Sequence, residues 1–333
     1  MVICLAAVAG LAWLVWLKPA KPEEAEKPPE TEVPVQVGKI KRVTLHGYVT
    51  AYGTIEPEPA GERPAASAHV VAAVAGVVTQ VKCVEGQRVE KGEVLFQLDP
   101  RAADVAVNFA EKALERQRKL AQTENTSQKA LQDAEQQLAA AQAQRALLQV
   151  QAPLAGTVVR VNVKPGEAAD LTTPLAEVID LDRLVVKAGI PASQAGELKP
   201  GQETQVSSQP AVTATLSFIS TAVDTNNGTV LAWATLPAGS GLRPGQFVPL
   251  RVVTAVQTNC LAAPEESVVT DIHGHNVIAL VNGAEAAQTP VETGLHENGW
   301  VEVKGPGLKE GDSVVTVGAY GLPEKTKIRV VSP

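Results

Sequence analysis

The chain has 333 residues, a formal net charge of -7 and an apolar fraction of 45%, so it is long enough to build two or more buried cores. Aromatic residues make up only 3%, which leaves Val, Ala and Leu to fill those cores and, with the acidic balance, argues against the cationic stripes and stacking platforms that nucleic acid requires. Met1 is the only methionine, so a Met-rich copper(I) site is excluded.

Residues 2–17, VICLAAVAGLAWLVWL, run without a charge and end at Lys18 and Pro19. The run is near the lower limit for a membrane-spanning helix, ~17 to 25 residues, and Trp13 and Trp16 fall where interfacial aromatics belong. We read 1–17 as an anchor or signal segment. A cleaved signal would want Lys or Arg before the apolar run and a small-x-small site after it, and neither is clear. Cys4 follows Ile3, not the small residue of a lipid-attachment motif. Residues 18–34 are rich in Pro and charge and too poor in apolar residues for a core, which predicts an extended linker. Residues 35–68 alternate and carry β-branched residues, which predicts strands that complete units built later in the chain.

The central feature is a repeat split by an insertion. VAAVAGVVTQVKCVEGQRVEKGEVLFQLDP precedes residues 101–149, and VQAPLAGTVVRVNVKPGEAADLTTPLAEVIDL follows them. With Gly76 set over Gly156, Val78 falls on Val158, Val81 on Val161, Gly86 on Gly166 and Leu95 on Leu175. Each half reads strand, Gly turn, strand, so 69–100 and 150–180 are expected to close on each other as two half-sandwiches. The insertion reads as an antiparallel helical hairpin with legs on the order of 33 Å. Its first seam is Ala106, Ala110, Ala113, Gln117 and Leu120, with Phe109 and Leu114 beside it; its second is Leu131, Ala134, Leu138, Ala141, Arg145 and Leu148. Ser127 is placed to cap the second helix.

Residues 181–255 repeat short strands, LVVKAGI, TATLSFIS, TVLAWATL and FVPLRVV, between turns at Lys199 to Gly201, Asn226 to Gly228 and Arg243 to Gly245. Apart from the brief SQAGEL segment they hold no helix, which predicts a small β-barrel. Residues 256–333 form a further strand-rich unit, with turns at Asp271 to Gly274 and Gly305 to Gly307. The fold class is therefore mainly β with an α-helical hairpin, in several domains, and elongated.

Catalytic constellations are missing: there is no P-loop, nucleophile elbow or HExxH, and no catalytic residue is assigned. Cys83 and Cys260 fall in different predicted modules and are expected to stay separate thiols. His273 and His275 with Asp271 make the one H-x-H cluster, a candidate set of metal ligands on a turn; a polar hairpin tip is the plainer reading. No cofactor is expected.

In layout, and in the texts PLAGTVVRVNVKPGE, LRPGQFVPLRV, APEESVV and GLKEGDSVVTVGAYGL, residues 35–333 resemble the HlyD-type membrane fusion proteins, the periplasmic adaptor subunits of tripartite efflux pumps in Gram-negative bacteria. The resemblance implies a lipoyl-like module at 69–100 and 150–180, a membrane-proximal domain at 256–333, and a non-enzymatic adaptor held in the periplasm by its N-terminal segment at the inner membrane. Its implied partners are an inner-membrane transporter, a TolC-like outer-membrane channel and further copies of itself in a ring, six by the family's habit. The closing GAYGLP text leans toward a resistance-nodulation-division (RND) transporter; an ABC-type exporter or type I secretion system is the alternative partner, and a periplasmic metal-binding protein is the alternative of another class. Channel-docking adaptors carry Arg, then Leu four residues on, then Ser seven further; Arg116, Leu120 and Ser127 stand at that spacing. Arg116 and Leu120 lie one helical turn apart on one face. The plainer reading makes Arg116 a solvated residue, Leu120 part of the seam and Ser127 a cap only. A true lipoyl or biotinyl carrier would present its Lys in a tight β-turn, whereas Lys112, Lys119 and Lys129 fall in predicted helices.

Overall fold

Strand is the commonest element among the described residues, as their Val- and Thr-rich alternation requires, and the two α-helices described lie together in the insertion. The computed structural model describes residues 32–122, 127–319, 322 and 325–331; the expected anchor, and the linker as far as residue 31, lie outside the described residues. No helix among the described residues is long and apolar enough to cross a membrane. The chain divides into two units, Gly47–Ala255 and Met1–His46 with Val256–Pro333.

In the first unit the repeat folds as a sandwich of two four-stranded sheets. One has the order Ser67–Val70, Ala176–Ile179, Gly156–Val161, Arg88–Val89; the other has Gln149–Gln151, Val94–Leu98, Gly76–Val81, Ala168–Ala169. The halves close on each other without forming one sheet each. Each half gives two strands to each sheet, because the turns at Gly86 and Gly166, with φ of 85° and 93°, carry the chain across to the opposite layer. The exchange is reciprocal. Val78 N donates to Glu167 O at 2.9 Å and Gly166 N to Val78 O at 2.7 Å, while Val158 N donates to Gln87 O at 2.9 Å and Gly86 N to Val158 O at 2.8 Å. Val78, Val158, Leu95 and Leu175 meet in the shared core with Phe96, Leu98 and Val178. Cys83 is buried just past the strand Gly76–Val81.

Helix α1 spans Arg101–Gln122 and helix α2 Gln128–Ala146. The pairs Arg145–Asp104 at 2.5 Å and Arg118–Glu135 at 3.6 Å set their antiparallel register. α2 ends before Leu148, which the expected seam included. Leu147 closes the helix, and Leu148 turns away to pack on the sandwich core, its carbonyl accepting from Leu98 N at 2.8 Å. That bond ties the hairpin's return to its departure.

The same unit holds a closed barrel. Its strands run Glu203–Val206, Val212–Asp224, Thr229–Thr235, Leu184–Pro191, Lys41–Pro57, Phe247–Pro264, and the last pairs back on the first, Val252 opposite Thr204. Inward residues Ile55, Val186, Ile190, Leu216, Ala232 and Leu250 fill it. The strand Glu203–Val206 escaped the sequence reading: ETQV has one aliphatic residue, and pairing on both sides makes it a strand.

In the second unit six strands follow the order Val268–Thr270, Asn276–Asn282, Glu285–Pro290, Lys325–Val330, Val33–Lys39, Ser313–Val317, with Leu280 also opposite Val314. The N-terminal strand starts at Val33, two residues inside the expected linker, because Val33 and Pro34 lie beside Ile328 and Arg329. The segment TPVETG divides between two strands after Pro290. Glu285–Pro290 stays on the six-stranded sheet, while Glu292–Glu297 pairs with Trp300–Lys304, which in turn pairs with Ala262–Pro264. Here Glu302 is 3% exposed. Its carboxylate lies 2.9 Å from Lys304 Nζ and accepts from Leu295 N at 3.2 Å, and a side chain at Gly294 would occupy its place.

Two expectations follow. A Cβ at Gly156 would stand 2.6 Å from the Ile179 carbonyl, whereas one at Gly76 meets only Leu98 at 3.5 Å. Gly156→Ala should therefore cost ~1–3 kcal/mol by overpacking, and Gly76→Ala less than about 1, in urea denaturation of the purified chain. Lys304, against the opposing effect of burial, holds the Glu302 carboxyl below the usual carboxylate range. A depressed carboxylate contributes stability at neutral pH that is lost as the pH falls below about 4.5 and through its folded value. Glu302→Gln should flatten that acid limb in melting curves from pH 7 to 3.

Candidate interaction surface

Small residues decide how the hairpin closes. α1 buries Val107, Ala110 and Leu114, with Ala103, Gln117 and Ala121 partly covered on the same stripe; α2 turns Leu131, Ala134, Leu138 and Ala141 toward them. The α2 seam follows the expected positions as far as Ala141, while Arg145 lies at the surface on Asp104. The α1 seam is rotated from the expected one. Ala106 and Leu120 are exposed, and Leu114 lies in the interface instead of beside it. The reason is packing: Val107 and Leu114 bury more apolar area than Ala106 and Ala113 could, and Phe109 cannot enter between backbones held close by Ala110, Ala134 and Ala141. Phe109 and Val105 therefore face outward, 71% and 72% exposed.

This rotation places Arg116 and Leu120 on the outer face of α1, Leu120 at 38% exposure. Arg118 pairs with Glu135, and Lys119 with Glu115 at 2.7 Å. Arg116 has no carboxylate partner among the described residues, so its planar fork of donors is available at the surface. Ser127 stands at the start of α2 with extended backbone, φ -81° and ψ 148°, and its hydroxyl accepts from Ala130 N at 3.1 Å. Residues 123–126 lie outside the described residues. Cation and aliphatic thus sit on the last two turns of one leg and the cap at the start of the other, an arrangement suited to a helix end with exposed carbonyls beside an apolar groove.

The other candidates are elsewhere. Asp271 Oδ1 accepts from the backbone N–H of His273 and of His275, both at 2.8 Å, and those bonds hold its carboxyl below the usual range. His275 Nδ1 is 3.6 Å from the other oxygen. The carboxylate shapes the turn, and no group of three metal-ligating side chains converges among the described residues. Cys83 and Cys260 are both free thiols, pushed up chiefly by burial. Lys112 and Lys119 lie in α1 and Lys129 in the first turn of α2.

Residues 66–180, the sandwich with its hairpin, match the CzcB-like barrel-sandwich hybrid domain. Multidrug resistance protein MdtA of Xenorhabdus bovienii is 25% identical, over 90% of this chain and 81% of its own length. Residues 66–180 are thus a barrel-sandwich hybrid domain of the CzcB-like kind. Solved structures agree in fold. A MacA–MexA chimera carrying the Pseudomonas aeruginosa MexA α-hairpin superposes with a TM-score of 0.59 at 22% identity, covering 82% of this chain and 98% of that one. MacA from Actinobacillus actinomycetemcomitans superposes at 0.54 and 22% identity, covering 84% and 98%. The hairpin's outer face was only partly legible in the sequence: spacing pointed to Arg116 and Leu120, but nothing local marked Val105 and Phe109 as surface residues.

The cap at Ser127 can be tested by itself. Ser127→Ala should lower hairpin stability by ~1 kcal/mol, and Ser127→Asn should be close to neutral, read from thermal melts followed at the helical band.

Proposed function

We propose that this chain is a membrane fusion protein, the periplasmic adaptor of an efflux assembly, joining an inner-membrane transporter of the RND type to a TolC-like outer-membrane channel. The observation that carries the reading is the hairpin set into a split sandwich, with Arg116 and Leu120 exposed at its far end. The likeness to MdtA, named a multidrug resistance protein, supports export as the task, and the GAYGLP text of the last domain supports the RND type.

In this reading the work is mechanical, and the chain is not an enzyme. The Arg116 guanidinium bonds carbonyls or carboxylates at a helix end of the channel, Leu120 fills an adjacent groove, and Ser127 fixes where the second leg starts. Sandwich and barrel modules of identical copies pack head to tail and close into a ring, six copies by the resemblance. The unit containing residues 256–331 rests on the transporter, and the N-terminal segment holds the chain at the inner membrane.

The experiment is site-specific photo-cross-linking in exporting cells, with mass spectrometry of the captured species. A photoreactive residue at position 116 or 120 should capture an outer-membrane channel. One at Ile272, 96% exposed on the Asp271 turn, should capture the transporter and identify it as RND or ABC by its size and nucleotide-binding motif. Capture of nothing, or only of further copies of the chain, from 116 and 120 would remove the channel assignment.

A further inference from the structure

Asn-Gly occurs three times in the chain, as Asn227-Gly228, Asn282-Gly283 and Asn298-Gly299, and each pair lies at the turn of a β-hairpin. The reason is conformational: such turns need backbone in the left-handed region, which Gly enters at no steric cost and Asn at little. Gly228, Gly283 and Gly299 have φ of 68°, 65° and 79°, and Asn298 has 51°. The same two residue types also carry a reaction. A glycine nitrogen, with no side chain beside it, can reach the carboxamide carbon of the asparagine before it and close a succinimide ring.

All six residues are exposed, so exposure does not separate the three turns. Hydrogen bonding does. Gly228 N donates to Asp224 O at 2.8 Å, which engages the proton that the nucleophile must lose. Asn227 Oδ1 accepts from Thr229 N at 3.0 Å and from Thr229 Oγ1 at 2.7 Å, which pins the carboxamide forward onto Thr229. Ring closure at Asn227 has to give up all three bonds. The other two loops are shorter, with Asn282 paired opposite Glu285 and Glu297 opposite Trp300. Among the described residues Gly283 N and Gly299 N have no acceptor, and the side chains of Asn282 and Asn298 make no hydrogen bond. The bonds that these turns do make, from Ile328 N to Ala284 O at 2.8 Å and from Glu265 N to Gly299 O at 2.9 Å, do not involve the reacting atoms.

We propose that Asn282 and Asn298 are sites of spontaneous deamidation through a succinimide, and that Asn227 is protected by the bonds of its turn. Hydroxide removes the proton of the glycine nitrogen, whose electron pair then forms a bond to the asparagine Cγ. The Cγ–Nδ2 bond breaks, and ammonia leaves with a proton from water. Water opens the ring at either carbonyl, giving aspartate or its β-linked isomer; nothing is oxidised or reduced. Each event adds one negative charge, and the β-linked product puts an extra carbon into the backbone of a tight loop. At Asn298 that loop belongs to the hairpin that brings Gly294 and Leu295 over Glu302. None of this depends on an adaptor role for the chain.

The test ages the purified full chain in mildly alkaline buffer made with heavy-oxygen water, which marks each newly hydrolysed site, beside a sample unfolded in guanidinium chloride. Peptide mass spectrometry then follows the three asparagines. Unfolded, they should convert at similar rates. In the folded chain Asn227 should convert roughly tenfold or more slowly than Asn282 and Asn298. Thr229→Val, which removes the hydroxyl bond and keeps a branched side chain, should raise the Asn227 rate about threefold or more. Conversion of Asn227 in the folded chain at the rate of the other two would overturn the proposal. So would a folded chain unmarked at both Asn282 and Asn298 while the unfolded sample converts, and protection of one of them to the level of Asn227 would strike that site.

Discussion

Neither half of the repeat can bury its apolar face without the other. Val78 and Val158 exchange backbone hydrogen bonds with the opposite half's Gly turn, and each sheet draws two strands from either side of the insertion. The chain must therefore leave the sandwich and come back to the same place, and only an insertion with two antiparallel legs and its ends together allows this. The bond from Leu98 N to Leu148 O joins those ends. The hairpin is thus held at its base by the cohesion of the sandwich, while its far end is stabilised chiefly by its own seam.

That seam divides the hairpin's residues by size. Where Ala110, Ala134 and Ala141 bring the backbones close, Val and Leu fit between them and Phe does not. One packing constraint accounts for the closure of the helices and for the exposure of Val105, Phe109, Arg116 and Leu120 on the outer face. A surface prepared in this way has a cationic and aliphatic end near the turn and an apolar end near the base, so different partners can be met at different heights along one helix.

The barrel and the second unit obey the same rule of non-local completion. The barrel needs the strand Lys41–Pro57 from before the repeat, paired with Leu184–Pro191 from after it, and the six-stranded sheet needs Val33–Lys39 beside Ser313–Val317 and Lys325–Val330. Glu302 shows what such packing adds to chemistry: a carboxylate in a strand that looks half-exposed by alternation is covered, and the missing side chain at Gly294, the nearby Lys304 and the Leu295 N–H make that tolerable.

The sequence by itself determined the strand-rich class, the repeat with its matched glycines, the place and polarity of the hairpin, and the resemblance to adaptor proteins, because each of these is written in local spacing or composition. It determined that Arg116 and Leu120 share a helix face. Tertiary structure alone decided which face that was. In an Ala-rich helix the 3–4 spacing admits more than one seam, and the choice falls to the fit of Val107 and Leu114 against the partner helix. The exchange of strands between the sheets, the strand at Glu203–Val206, the end of α2 before Leu148 and the use of Asp271 as a turn cap were likewise decided only on folding. Each depends on a hydrogen-bond or packing partner that local spacing does not name.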